Sequence, residues 1–441
     1  MSAIYSKPAS SIISLALAMG LMLSPESLVI LGNAMGIAGV SFLLFIMSAM
    51  VIHLFTALSY GEVYSLYKGA GSEARIIKDA LGSIPAIVLP ICSRVVFTVC
   101  ASTGILATAG YVFNEVLVNW FPNLGFSFCL LGFLVLINLW NQRVTEMVQI
   151  MLVTVAICGL TFLSAVGFIG LESTSPVVKV VDYPSFDLAR LALLGLVLFI
   201  GFDLAGLVSN NENKYPFRLV KSMTAGVVLA GIVFILWGLV SLQYVSLERL
   251  ADTTIPHSIT ARVILGSSGR IVMGVVVLAG AGAAVNILLL AVSRMIAAMA
   301  AQGLLPSFLG LAQNRAPIPL IILAVGIAAM MASGMAGVPD LEIYTRAGVL
   351  FWLLNYSAVH LSVLIMRRGV CGRLTQFQIP GFPVVTLIGF LVLFLGFFGL
   401  LWSDSESALL FKFMLIILVI VCLFSTIWVG LTHRKSRLTS G

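Results

Sequence analysis

Charged residues are what this chain has least of. Only 9% of its 441 residues are Asp, Glu, Lys or Arg, against roughly a quarter in a soluble globular protein. A hydrated surface around one soluble core is thereby excluded, and the mean hydropathy of +1.13 agrees. Cysteine is scarce too. Cys92, Cys100, Cys129, Cys158, Cys371 and Cys422 lie mostly inside apolar runs, with no CxxC or metal-ligand spacing, so they read as small core residues. The four histidines are scattered at 53, 257, 360 and 433, and neither HExxH nor GxSxG occurs. An intramembrane hydrolase therefore lacks its nucleophile, base or metal set, and no cofactor or metal site is expected. No re-entrant filter sequence suggests a channel. No linker, low-complexity tract or charge block divides the chain, which reads as one membrane domain, 1–441.

What is present is a series of apolar runs, each near the ~20 residues that cross a hydrocarbon core. Twelve are read, at about 12–34, 40–66, 84–118, 126–142, 147–170, 188–208, 220–244, 270–300, 318–336, 346–366, 383–402 and 409–431. The fold class is an all-α polytopic membrane protein with 12 transmembrane helices. With both termini cytoplasmic, 16 of the 24 Lys and Arg residues fall on that side, as the positive-inside rule favours. The net charge of +7 is thus a topology signal and not a nucleic-acid footprint. The start could pass for a signal peptide, but its apolar run continues well past Ala18 and reads as span one.

Two runs are interrupted. Span one carries Ser24-Pro25-Glu26 in GLMLSPESLVILG, and span six, five spans later, carries Gly201-Phe202-Asp203 in LGLVLFIGFDLAGLVSN. A carboxylate in a span is costly unless it faces protein, water or a partner. Broken segments at matching places in two halves point to an inverted repeat with a site where they break. Repeats of five helices, about 12–170 and 188–366, with extra helices at 383–431, fit this spacing. Glu26 and Asp203 then become two acids of one site. The alternative is that Glu26 pairs with Arg94 and Asp203 caps the following half-helix.

Arg94, inside span three, has three open roles: partner of Glu26, stand-in for a coupling cation, or snorkelling to the interface. Span five from Val148 to Gly170 has no Lys or Arg, so sodium coupling, proton coupling and exchange all stay open. Glu26, Asp203 and Arg94 are the coupling candidates. His53 and His360 are packing residues or parts of a proton path. Phe199 and Phe202 border the span-six break and either pack or stack on an ammonium group. Tyr356 and Asn286 are further cavity candidates.

Several stretches carry a family resemblance. SNNENKYPFRLVKS, with Glu212, Pro216 and Arg218, and NILLLAVSRMIAAMAAQGLLPSFLGLAQNRAPIPLIIL, with Asn286, Ser293, Arg294, Met299, Gly303, Pro306 and Pro317, resemble motifs of the amino acid–polyamine–organocation (APC) superfamily. SYGEVYSLYKGAGSEARIIKDALG, through Tyr60, Glu62, Gly69 and Gly71, and NLWNQRVTEMVQ are similar to further motifs of it. Phe199-Ile200-Gly201-Phe202-Asp203 looks like the Phe-Ile-Gly-x-Glu segment of bacterial basic amino acid and polyamine antiporters.

The resemblance implies a LeuT-like 5+5 inverted repeat plus two extra helices. It also implies a secondary transporter, permease or antiporter, of amino acids or related amines and polyamines across the inner (cytoplasmic) membrane. Alternating access would work around a midplane site between spans one and six, including Ser24, Glu26, Phe199, Gly201, Phe202 and Asp203. Partners would be a small-molecule substrate, the lipid bilayer, and H+, Na+ or a counter-substrate. Where most members have a Gly-Ser-Gly type turn, this chain has Ser-Pro-Glu. Pro25 offers no N–H to a carboxylate and Glu26 repels one. Two opposed acids favour a cation: at ~4 Å and an effective dielectric near 20, each ammonium–carboxylate contact gives roughly 4 kcal/mol before desolvation. A transporter-like receptor or accessory subunit that binds without transporting is the alternative.

Overall fold

The computed structural model describes residues 7–67, 69–170, 185–208, 216–310, 316–338, 340–369, 377–403 and 406–439. Among them there are helices and no strands. In chain order these are α1 (Lys7–Met19), α2 (Pro25–Ala38), α3 (Phe42–Leu66), α4 (Ser72–Leu81), α5 (Ser83–Pro90), α6 (Val96–Val112), α7 (Asn123–Trp140), α8 (Gln142–Ile169) and α9 (Ser185–Val197). They continue with α10 (Leu204–Val208), α11 (Pro216–Tyr244), α12 (Leu247–Asp252), α13 (Pro256–Ala301), α14 (Pro317–Ala332), α15 (Asp340–Gly369), α16 (Val384–Ser403) and α17 (Ser407–Thr439). All twelve apolar runs fall on helices. Among the described residues, eight helical stretches are long and apolar enough to cross a membrane, and Pro317–Ala332 and Val384–Gly399 are shorter apolar helices.

Local chemistry explains the ends. Asn141 starts α8 by accepting from the Arg143 N–H at 2.9 Å, as an N-cap should. Gly82, at φ +99°, closes α4 with its N–H on Lys78 O, a conformation that costs glycine little. α4 is amphipathic, burying Ser72, Glu73, Ala74, Ile76 and Ile77. α13 turns at Gly266, φ +59°, so its 46 residues are two helical stretches. Runs one and six are each split: α1 stops at Met19 and α2 starts at Pro25, while α9 stops at Val197 and α10 starts at Leu204.

The chain forms two compact units, and each draws segments from both expected repeats. The first comprises Met1–Leu54, Gly104–Phe202 and Ser222–Ile287. Here α1 runs along α8, α7 packs on α8, and α2 lies on α12. Glycines permit the closest of these approaches. A Cβ on Gly36 would sit 2.3 Å from the Ala251 backbone N, and one on Gly32 2.4 Å from Pro256.

The second unit comprises Phe55–Thr103, Asp203–Lys221 and Leu288–Gly441. Its α15 packs against α4, α16 and α17. Val88 and Cys92 join Ile343, Ala347, Leu350, Phe351, Leu410 and Met414 in a buried apolar cluster. Arg367 clasps Glu62 through Nε–Oε1 at 2.5 Å and Nη2–Oε2 at 2.7 Å, with its guanidinium 4.1 Å over the Phe382 ring.

Replacing Gly36 by Ala should cost about 1–3 kcal/mol, because the clash is with backbone that cannot rotate away. Gly132→Ala, with nothing within 4 Å of the added Cβ, should change stability by less than about 1 kcal/mol. Thermal unfolding of the purified protein in detergent separates the two.

Candidate functional site

In the first unit the interrupted runs meet. Ser24 N-caps α2, its Oγ accepting from the Ser27 N–H at 3.3 Å, with Pro25 in the first turn and Glu26 beside it. The triplet is therefore a helix start: a capping hydroxyl, a residue with no N–H to satisfy, and an acid at the positive end of the helix dipole. Upstream, the chain leaves α1 through a three-residue turn, Ser24 N–H to Leu21 O at 3.1 Å. In the other break, Phe199 N–H reaches Leu196 O and Ile200 N–H reaches Val197 O, at 3.3 and 3.2 Å. Gly201, at φ +103°, packs against Leu21 so closely that a Cβ would lie 2.6 Å from that side chain. Gly280 of α13 closes the other side, where a Cβ would be 2.2 Å from Leu23 O.

A chain of amides supports the first break. Gln149 Nε2 donates to Ala16 O at 3.3 Å, one of the carbonyls at the end of α1. Its Oε1 accepts from Asn286 Nδ2 at 2.8 Å, and Asn286 Oδ1 accepts from Asn138 Nδ2 at 2.8 Å. Asn286, expected to face substrate, has both ends of its amide engaged by protein; it holds α8 and α13 in register beneath the break. Phe199 and Phe202 are fully buried against His53, at ring distances of 5.6 and 5.8 Å, and Phe199 also packs on Phe234 at 5.9 Å. Packing accounts for both rings. Glu26 differs: it is half-buried, and its Oε2 is buried with no hydrogen-bond partner among the described residues.

The second unit holds a charged cluster that the sequence shows only in pieces. Arg94 sits in a π-helical turn, Ile91–Val95, between α5 and α6. Such turns are rare and concentrate at functional places. Its side chain is 0% exposed, which excludes snorkelling. Nη2 donates to Glu73 Oε2 at 2.8 Å, to Asp203 Oδ2 at 2.5 Å and to Tyr60 OH at 3.0 Å. The guanidinium carbon lies 4.8 Å over the Trp352 ring, a cation–π contact. Tyr60 donates to Glu73 Oε2 at 2.6 Å, Asn355 Nδ2 donates to Glu73 Oε1 at 2.8 Å, and Tyr356 donates to Asp203 Oδ1. Burial pushes the Glu73 carboxyl above the usual glutamate range, while Arg94 pulls it down.

Of the expected site residues, then, Ser24, Gly201, Phe199 and Phe202 lie at the breaks of the first unit with Glu26. Asp203, Arg94 and Tyr356 come together in the second unit. Asp203 has both carboxylate oxygens occupied there, so its charge is not free for a cationic substrate. Glu73, Tyr60, Asn355 and Trp352 were not read as site residues. The signal for Glu73 was Arg94 itself, since an arginine inside a span needs a carboxylate. Two of the resemblance residues make structural ties: Glu62 holds Arg367, and Arg294 Nη1 donates to Val208 O at 2.7 Å, capping the last carbonyl of α10. Glu212 lies outside the described residues.

An amino acid permease family profile matches residues 11–424. The chain belongs to the amino acid permease family. As a member of the APC superfamily it is an integral membrane protein and a membrane transporter by kinship. A crystal structure of the Eremococcus coleocola manganese transporter, in complex with an aromatic bis-isothiourea substituted compound, is similar in fold. The TM-score is 0.62 at 13% identity, over 97% of this permease chain and 94% of that one. No curated protein matches the sequence.

Replacing Arg94 by Leu strands two buried carboxylates and should cost about 3–5 kcal/mol. Adding Glu73→Gln and Asp203→Asn to that variant should restore most of the loss, because no buried charge is then left unpaired. Unfolding curves of the single and triple variants give the comparison.

Proposed function

We propose that this permease is a secondary active transporter of amino acids or closely related amines across the cytoplasmic membrane. In this reading twelve spans form a LeuT-like 5+5 inverted repeat plus two helices, both termini are cytoplasmic, and the mechanism is alternating access. The pairing of the two breaks through Gly201 and Leu21 carries it. Irregular backbone inside an apolar chain is tolerated where it lines a cavity or is buried in protein, and paired broken helices are how transporters of this plan hold polar substrates. The family match over residues 11–424 supports the amino acid class.

Within the site, Glu26 is the residue for a substrate ammonium group. It has an unpartnered carboxylate oxygen at the start of α2, whereas the oxygens of Asp203 are taken by Arg94 and Tyr356. A single acid suits an α-amino group as well as a simple amine, and the case for polyamines, which rested on two opposed acids, loses one of them. A metal substrate, such as the manganese named for the similar structure, lacks support here. Among the described residues no three His, Cys, Asp or Glu side chains gather to hold an ion.

Proteoliposomes loaded with unlabelled amino acid should take up the labelled compound by counterflow. Glu26→Gln should weaken apparent affinity roughly tenfold to hundredfold, the loss of a charged hydrogen bond. Binding with no exchange for any amino acid or amine would instead identify a transporter-like receptor.

A further inference from the structure

The charges around Arg94 do not balance. Glu73 and Asp203 bring two carboxylates, both almost wholly buried, and Arg94 brings one positive charge. The ionisable groups facing them are phenols: Tyr60 and Tyr64 from α3 and Tyr356 from α15. α5 contains no titratable side chain, and no other described residue forms an ion pair with Glu73 or Asp203. With both acids ionised the cluster carries one uncompensated negative charge out of reach of water, a state that proteins relieve by neutralising a group.

A second observation, independent of the charge count, concerns Asn355. Its side chain is 0% exposed and its Nδ2 points at Glu73 Oε1, yet its Oδ1 is buried with no hydrogen-bond partner among the described residues. Rotating that amide turns the idle acceptor toward Glu73 and supplies what a protonated Glu73 needs. The phenol of Tyr356 is equally able to accept from a protonated Asp203, since a hydroxyl both donates and accepts. By contrast, every oxygen of the two carboxylates already accepts a hydrogen bond, so a metal ion would have to displace these donors. A proton need only reverse one of them.

We infer that the Glu73–Asp203 pair, held by Arg94, binds one exchangeable proton. Taking it from water forms one O–H bond on the pair and brings the cluster from a charge of −1 to zero; releasing it reverses both. The proton belongs to the pair and not to either acid alone. Its meaning as the coupling ion rests on the transporter reading, whereas its presence does not.

Infrared difference spectra of the purified full-length chain in detergent, without substrate, test this between about pH 5 and about pH 9, the range in which buried carboxyls are known to titrate. The expected result is a carboxylic acid C=O band in the wild type that disappears as pH rises. It should be lost in Glu73→Gln and equally in Asp203→Asn, since either change leaves one acid balanced by Arg94. Glu26→Gln should keep it. A wild type with no such band, or a band that survives both Glu73→Gln and Asp203→Asn, overturns the inference.

Should either variant fail to fold, Glu26→Gln, which lacks the other acid, the one with a buried oxygen unpartnered among the described residues, still decides through its band and its melting temperature. A proton held only by the folded state stabilises it at low pH and ceases to as pH rises through the folded-state value. A falling melting temperature beside the band supports the site, and a flat one without the band refutes it. Counterflow with no proton band leaves a transporter that lacks this site; the band with no counterflow leaves the proton site and removes the transporter.

Discussion

A guanidinium with no access to water is the constraint around which the second unit is arranged. Burying an ion costs several kcal/mol unless it is paired and hydrogen-bonded in good geometry, and Arg94 is held from four directions of the chain, by hydrogen bonds from three of them and an aromatic face from the fourth. Tyr60 comes from α3, Glu73 from α4, Asp203 from the start of α10, and Trp352 from α15. Two of these elements, α3 and α15, are also tied by the Glu62–Arg367 pair and by His360 with Thr56 and Ser59; the Arg94 cluster adds α4 and the start of α10 to that polar seam. Charged hydrogen bonds are short-range and directional, so the cluster adds a constraint on the start of α10, through Asp203, and on α15, through Asn355 and Tyr356. The π-helical turn at Ile91–Val95 fits the same requirement, because it places Arg94 off the regular helical spacing.

The first unit solves a different problem with neutral groups. Splitting an apolar helix exposes main-chain groups that the membrane cannot satisfy. Here Ser24 covers the start of α2 and Gln149 covers a carbonyl at the end of α1. The amide chain through Asn286 and Asn138 then holds Gln149 in place. None of these groups carries charge, which leaves Glu26 as the one acid at the break in this unit with an unpartnered oxygen among the described residues. A break propped by neutral amides therefore presents its single carboxylate without competition.

How much of this could be read from the sequence follows from how local each cause is. The helices were legible because long apolar runs have one way to satisfy their backbone. Both breaks were legible too, since proline and glycine act on their own few residues. The meaning of Ser24-Pro25-Glu26 was half legible: its order is that of a helix N-cap, but an acid in a span draws attention away from the cap. Arg94 could be recognised as anomalous, yet its partners could not be named. Glu73 lies in an amphipathic stretch, SEARIIKDAL, where an acid in the first turn reads as a solvated group favouring the helix dipole. Only the packing of α4 on α15 turns it inward. Asn286 is the converse case, a polar residue in a span whose amide is engaged by other amides.

Asp203 shows why residue type alone misleads about a binding site. As an acid at the break of span six it invites a cation, and it has one, supplied by the protein. An intrinsic arginine in that role is permanently charged, so it cannot leave or be exchanged as a bound ion would. What remains variable in such a cluster is the charge of the carboxylates around it. Two acids that share one arginine are balanced only when one of them is neutral, and the phenols and the amide that face them are able to serve either state by reversing a hydrogen bond. The cluster therefore has two arrangements of nearly the same atoms that differ by a single charge, and elements as separate in sequence as α4 and α15 meet at the point where that charge is decided.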